Sequence, residues 1–166
     1  MSRVSAPGLR GTLLGTLFGV WNPLMRRVLD SSLHWPLSRW FAVLAWTGRK
    51  TGRRYTTPVS FVREGRTAYV TTGDRWWRNL TEGAPVAMRI AGRWRKATAA
   101  PLIDPADSRA QHERLFREHT WFRLLAGIPR GPEGGPDTAA VARAVMAGRV
   151  LVRIELERGG AARDLD

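Results

Sequence analysis

Thr47-Gly48-Arg49-Lys50-Thr51-Gly52-Arg53-Arg54-Tyr55-Thr56-Thr57-Pro58-Val59 is a glycine-punctuated basic turn between two apolar runs of β character. Trp40-Phe41-Ala42-Val43-Leu44-Ala45-Trp46 precedes it and Tyr55 to Val62 follows, so the cations sit at the tip or shoulder of a hairpin. Arg49, Lys50, Arg53 and Arg54 place four cations in six residues. Glycine lets backbone N–H groups turn toward an anion, Arg49 and Lys50 bring charge, and the hydroxyls of Thr51, Thr56 or Thr57 complete the hydrogen bonds. The same stretch also suits an exposed hairpin turn, solvated by charge, whose glycines serve the backbone alone.

Outward from the turn, strands are expected at Phe41–Thr47, Tyr55–Arg63, Thr67–Thr72, Pro85–Ile90 and Trp94–Ile103. Glu64-Gly65-Arg66 and Ala91-Gly92-Arg93 read as short glycine turns, which favours consecutive antiparallel pairing. A short helix from Trp76 to Gly83 interrupts the meander. Beyond it, Asp104 to Ala126 reads as one helix with Asp104 as N-cap and Pro105 in the first turn. An irregular Pro/Gly loop over 127–136 leads to a helix at Thr138–Met146 and a last strand at Val150–Leu156. Upstream, Pro7 to Leu37 reads as helical, with Leu13, Leu14, Leu17, Phe18 and Trp21 forming an apolar stripe. Its uncharged run is shorter than the roughly twenty apolar residues that span a bilayer. Gly11, Gly15 and Gly19 align on one face, suited to packing on the protein's own core, to a dimer contact, or to a membrane surface beside Arg10, Arg26 and Arg27.

The net charge of +13 favours anionic partners. The arginines are spread along the whole chain, with no RNA-binding aromatic motif or zinc-finger spacing, which argues against nucleic acid. With no cysteine there is no disulfide framework and no thiolate nucleophile. His34, His112 and His119 offer no zinc spacing with carboxylates, so no metal site is expected, and His112 and His119 read as solvated helix surface. Asp104/Asp107 and Glu113/Glu118 are accounted for as a helix start and surface charges. The chain lacks a nucleophile elbow, a Walker loop and a Rossmann fingerprint. An anion cradle and many tryptophans with so little reactive side-chain chemistry point to an enzyme whose cofactor carries the reaction, and no catalytic side chain is assigned.

The Thr-Gly-Arg-Lys-Thr-Gly turn and Thr-Pro-Val strand, followed by Trp76-Trp77-Arg78-Asn79-Leu80, resemble the deazaflavin-dependent nitroreductase and quinone-reductase family. The resemblance spans roughly Asn22 to Leu102. It implies an α+β, mainly β fold: an FMN-binding-like split β-barrel with flanking helices. A single domain 1–166 would then comprise an N-terminal helical segment 1–39, a barrel core 40–103, and helices with a closing strand in 104–166. The implied activity is hydride transfer from reduced coenzyme F420 to a small-molecule acceptor such as a quinone, nitro compound or activated alkene. Arg49, Lys50, Thr51 and Gly52 would hold the phosphate and acidic tail, with Arg53 or Arg54 assisting. Thr57, Pro58 and Val59 would run beside the ring, Thr71 and Thr72 would support its opposite edge, Trp76 and Trp77 would wall the pocket, and Asn79 would brace the helix start. The tryptophans are equally explained as core packing. Solvent, Thr72 and Tyr55 are the candidate proton sources. Tyr55 stands where many relatives carry arginine. The resemblance also implies a homodimer; a cytoplasmic location is expected, with the inner face of the plasma membrane as one of the contacts open to the N-terminal helix. An FMN-dependent reductase of the same fold and a non-catalytic flavin- or lipid-binding protein are the alternatives.

Overall fold

The computed structural model describes residues 39–81 and 83–161. The apolar stripe and glycine row expected between Pro7 and Leu37 lie outside the described residues. The strands are β1 (Phe41–Thr47), β2 (Arg54–Glu64), β3 (Thr67–Thr72), β4 (Ala84–Ile90), β5 (Arg93–Leu102) and β6 (Val150–Ala161). A short 3-10 helix, Arg75–Asn79, separates β3 from β4. Helices α1 (Pro105–Glu118), α2 (Thr120–Leu125) and α3 (Thr138–Met146) separate β5 from β6.

All the pairings are antiparallel, and they close a barrel in the order β1-β2-β3-β6-β5-β4. Closure removes the exposed edges that an open sheet of these strands would carry. The expected mainly β barrel with flanking helices is therefore present. Consecutive pairing holds for β1-β2-β3 and for β4-β5. It fails between β3 and β4, because β3 takes β6 as its neighbour and β4 takes β1.

Alternation along the strands produces two apolar clusters. Leu44, Phe61, Val70, Met88, Ala99, Val152 and Ile154 fill the barrel. Val62 and Leu151 face outward and pack with Leu115, Phe116, Phe122 and Val141 of the helices. Fully burying a side chain of this size contributes about 1.5–3 kcal/mol, so both faces of β2 and β6 contribute to stability.

Asp104 caps α1 as expected, its carboxylate accepting from the Asp107 N–H at 2.9 Å, with Pro105 opening the helix. The single helix expected to run on to Ala126 is broken at His119, whose φ of −125° and ψ of 85° are not helical. The break lets Phe122 turn inward against Phe116 and Trp121, at ring centroid distances of 5.6 and 5.5 Å. The helix expected from Trp76 to Gly83 is shorter than its sequence suggests: Leu80 is already extended, and Gly83, at φ +75°, turns the chain into β4. The last strand runs to Ala161 rather than Leu156 and is offset against β5 by a bulge between Arg95 and Ala97.

β2 changes partners just beyond Pro58, between Ser60 and Phe61. Its residues from Arg54 to Ser60 pair with β1, and those from Phe61 to Glu64 pair with β3. The Phe61 N–H donates to the Trp40 carbonyl at 3.0 Å. Hydrogen-bonded pairs alternate in an antiparallel ladder, so Phe61, Val59 and Thr57 address β1 while Pro58 addresses the β3 side. Proline has no N–H to offer there, and the β2–β3 ladder ends before reaching it. Among the described residues, no strand covers that edge of β2 from Arg54 to Ser60.

Candidate functional site

The basic turn is closed by its own backbone. The Gly48 N–H donates to the Arg53 carbonyl at 2.8 Å and the Gly52 N–H to the Gly48 carbonyl at 2.9 Å. Gly52 adopts φ +63°, a region costly for residues with a Cβ. The Arg53 N–H points to Thr51 Oγ1 at 3.3 Å, and that hydroxyl lies 3.2 Å from the Tyr55 hydroxyl. Arg49, Lys50, Thr51, Gly52, Arg53 and Arg54 are all exposed, so the turn is a cationic knuckle whose charges face solvent.

Gly48 is needed because of Tyr55. A Cβ at Gly48 would lie 2.7 Å from both the Tyr55 ring and Thr51 Oγ1. Tyr55 in turn stacks on Trp46, with centroids 6.0 Å apart and planes at 22°. Trp46 meets Trp76 at 5.2 Å. This aromatic train links the turn to the 3-10 helix, and Trp46 was not anticipated as part of the site. Its Nε1 is buried without a hydrogen-bond partner. A Trp at the last inward position of β1, one residue before the turn, was the available signal.

Trp76 and Trp77 are both half-buried against the barrel cluster, as the core-packing reading required. Arg78 lies over the Trp77 ring at 5.6 Å. Asn79 does brace this segment, its Nδ2 donating to the Trp76 carbonyl at 3.0 Å.

The predicted ring-edge residues divide between the two faces. Val59 lies in the barrel cluster at 7% exposure, so its side chain is core rather than cleft. Thr57, on the same inward face, donates its hydroxyl to the Pro58 carbonyl at 3.4 Å. Thr72 is buried, and its Oγ1 accepts from the Asp74 N–H at 3.1 Å. Thr71 faces the helices, where its hydroxyl is held by His112 of α1 and by Arg149, the residue before β6.

That network corrects the expectation of a solvated His112. The imidazole is fully buried; Nδ1 donates to the Ser108 carbonyl at 2.8 Å, which leaves Nε2 to accept from the Thr71 hydroxyl at 2.9 Å. Arg149 donates to Thr71 Oγ1 at 3.3 Å and to the Ala126 carbonyl at 3.2 Å. Burial, aided by the Arg149 charge and opposed by the Ser108 hydrogen bond, lowers the His112 pKa to about 4. The neutral ring is thus the native form. Burial also lowers the pKa of Arg149, against the pull of Asp74. Ser108, His112, Leu115 and Phe116 share one helical face, and that spacing was the signal that His112 is buried.

His119 sits instead near Glu64 and Glu118, their ligand atoms within 4.8 Å of one another. Arg114 already bridges the two carboxylates, reaching Glu64 at 2.8 and 3.1 Å and Glu118 at 3.0 Å. Hydrogen bonding to Arg114 lowers the Glu64 pKa and raises that of Arg114. A cavity of about 730 Å³ between β5 and α1, lined by Leu102, Ile103, Gln111 and Arg114 among others, includes none of the predicted site residues.

Residues 27–121 match the family described as F420H(2)-dependent quinone reductase. No curated protein matches the chain. Solved structures similar to it include an FAD-binding protein from Mesorhizobium loti, at 16% identity over 77% of this chain and 91% of that one, with a TM-score of 0.43. The heme storage protein HutZ from Vibrio cholerae shares 16% identity over 73% and 84%, with a TM-score of 0.47. An F420 reductase shares 17% identity over 72% and 88%, with a TM-score of 0.41. Likenesses this distant carry no argument about activity.

Proposed function

The chain belongs to the F420H(2)-dependent quinone reductase family and is thus an F420-dependent oxidoreductase, and from that premise we propose hydride transfer from the reduced deazaflavin to a quinone, nitro compound or activated alkene. The observation that carries the site assignment is the exposed basic turn standing beside the uncovered edge of β2. Arg49, Lys50, Thr51 and Gly52, with Arg53 or Arg54 assisting, would hold the phosphate and acidic tail. The N–H groups of Gly48, Gly52 and Arg53 are engaged within the turn, so the amides of Arg49, Lys50 and Thr51 and the Arg49 and Lys50 side chains would be the chief donors for an anion.

The β2 edge at Pro58 offers backbone polar groups to the edge of a heteroaromatic ring. Thr57 and Thr72 would flank it, and Trp76, supported by Trp46 and Asn79, would close one side. Trp77 walls the same segment from its half-buried place on the barrel. In this reading Val59 supports the ring from the core, and Thr71 steadies the end of β3 through His112. When bound in reduced form, the deazaflavin supplies the hydride. The protein supplies placement, holding donor and acceptor atoms about 3–3.5 Å apart with water kept out. Of the two candidate protein hydroxyls, that of Tyr55, a residue 40% exposed, is the one an acceptor can reach; Thr72 is 7% exposed.

The reading extends to a cytoplasmic homodimer in contact with the inner face of the plasma membrane. Exposed Ile103, Leu124, Leu125 and Met146 provide apolar surface for such contacts. No helix among the described residues is long and apolar enough to cross a membrane. Sedimentation with and without anionic vesicles tests both points. The cofactor reading is tested by titrating the protein with coenzyme F420 and with FMN, following tryptophan fluorescence. Quenching by the deazaflavin, with F420 reoxidised when a soluble naphthoquinone is added to its reduced form, is the expected result; no quenching by the deazaflavin overturns it.

A further inference from the structure

Arg149 ties together the end of β3, the end of α2 and the start of β6. One terminal nitrogen of its guanidinium donates to Thr71 Oγ1 at 3.3 Å, and the other donates at 3.2 Å to the carbonyl of Ala126, which closes α2. The Thr71 hydroxyl gives its own proton to His112 Nε2 and so offers only lone pairs to Arg149. A further contact is electrostatic: the Asp74 charge favours the protonated guanidinium against the burial that disfavours it. Arg149 Nε is buried with no hydrogen-bond partner. A buried cation with an unsatisfied N–H costs stability, so stability alone does not account for this residue. It also lies beyond residues 27–121, the stretch that matches the family.

Thr71 and Asp74 flank the link between β3 and the 3-10 helix. Asp74 stands at the N-cap of that helix, yet its carboxylate makes no cap hydrogen bond; only its N–H is engaged, by Thr72 Oγ1 at 3.1 Å. Packing does little to fix the link. Nothing lies within 4 Å of where a Cβ on Gly73 would stand, and no residue of Arg75–Asn79 is fully buried. Trp76 follows two residues after Asp74 and meets Trp46 at 5.2 Å, so the place of its ring depends on what holds Asp74. Arginine suits that task because its planar fork addresses Thr71 and Ala126 at once while its charge acts on Asp74; a lysine ammonium keeps the charge and loses the fork.

We propose that Arg149 is a positioning residue for hydride transfer, which holds the Gly73–Asp74 link to the end of β3 and thereby sets where Trp76 stands at the cofactor site. The inference rests on the cofactor reading given above. The phosphate donors lie on the basic turn, outside this network, so affinity and rate should separate. In Arg149→Met, single-turnover reduction of a soluble naphthoquinone by bound, reduced F420 is expected to slow roughly tenfold, with F420 affinity kept within about threefold. Arg149→Lys should recover part of the rate. Asp74→Asn, at an exposed residue, should also slow transfer, and combining it with Arg149→Met should add little, because both act through one contact. In the cofactor-free protein, backbone hydrogen exchange over residues 73–79 should quicken in Arg149→Met and Asp74→Asn while exchange in β1 stays as it was. Rates kept within about twofold, with only the melting temperature lowered, overturn the positioning role while the cofactor assignment stands. Unchanged exchange over 73–79, or fully additive losses of rate, overturn it as well. Failure of the unmodified protein to bind F420 overturns the cofactor reading, and the role in hydride transfer with it.

Discussion

The Thr71 hydroxyl lies 2.9 Å from Nε2 of His112, tying the end of β3 to the buried face of α1. A histidine read as surface thereby becomes a fixed neutral acceptor, and stability must depend on its protonation. The folded pKa is lowered from 6.5 to about 4, so the neutral ring's contribution is complete above the unfolded value. Stability is lost as pH falls from about 6.5 toward 4, by on the order of 3 kcal/mol in all. Urea unfolding of the protein and of His112→Gln at intervals across this range checks it. The variant should be less stable at pH 7 by about 1–3 kcal/mol and should lose this part of the pH dependence.

Arg49→Ala and Lys50→Ala should each weaken deazaflavin binding by about 1.5–3 kcal/mol, because each removes a charge-assisted donor. Both side chains are exposed, so melting temperatures should barely move. Unchanged affinity in fluorescence titrations would leave the turn as a solvated hairpin and nothing more.

Gly48→Ala tests the aromatic train. The added methyl would force Tyr55 or Thr51 away, and Tyr55 cannot move without leaving Trp46. Overpacking of this kind costs about 1–3 kcal/mol. Near-ultraviolet circular dichroism should report the lost Trp46–Tyr55 stack, and cofactor affinity should fall with it.

Trp76→Ala should destabilise more than Trp77→Ala. Trp76 packs on Trp46, itself only 7% exposed, whereas the Trp77 ring lies under the guanidinium of the neighbouring, exposed Arg78. Denaturant midpoints rank the two, and parallel affinity measurements separate wall from core.

Much of the barrel could be read in the chain because it rests on local pattern. The limits of β1 and β3 follow from apolar runs ended by turn residues, and Asp104-Pro105 announces α1. Partner choice was less accessible. Pro58 can be seen in the sequence, but that its missing N–H faces the β3 side, beyond the last β2–β3 pair at Phe61 and Val70, depends on hydrogen-bond phase across two strands. The break at His119 carries neither proline nor glycine; it follows from Phe122 packing beneath α1, a tertiary demand. At the site, the turn's composition gave its charge and its glycines. Which face of each strand carries Thr57, Val59, Thr71 and Thr72 required the pairing register, and Trp46 and His112 became visible as partners only once distant segments were brought together.

The position of β6 also sets the order in which the chain can mature. β3 and β5 both hydrogen-bond to it, and Thr67 reaches Glu155, 88 positions further along the chain. On the ribosome, neither strand has this neighbour until the residues from Val150 onward have emerged. Nascent chains stalled before Val150 therefore hold two strands with one edge each unpaired, a state that folds slowly and invites pairing with other chains. Completion of the barrel therefore waits on β6, and errors in that strand should appear as aggregated protein during expression before they appear as weakened catalysis.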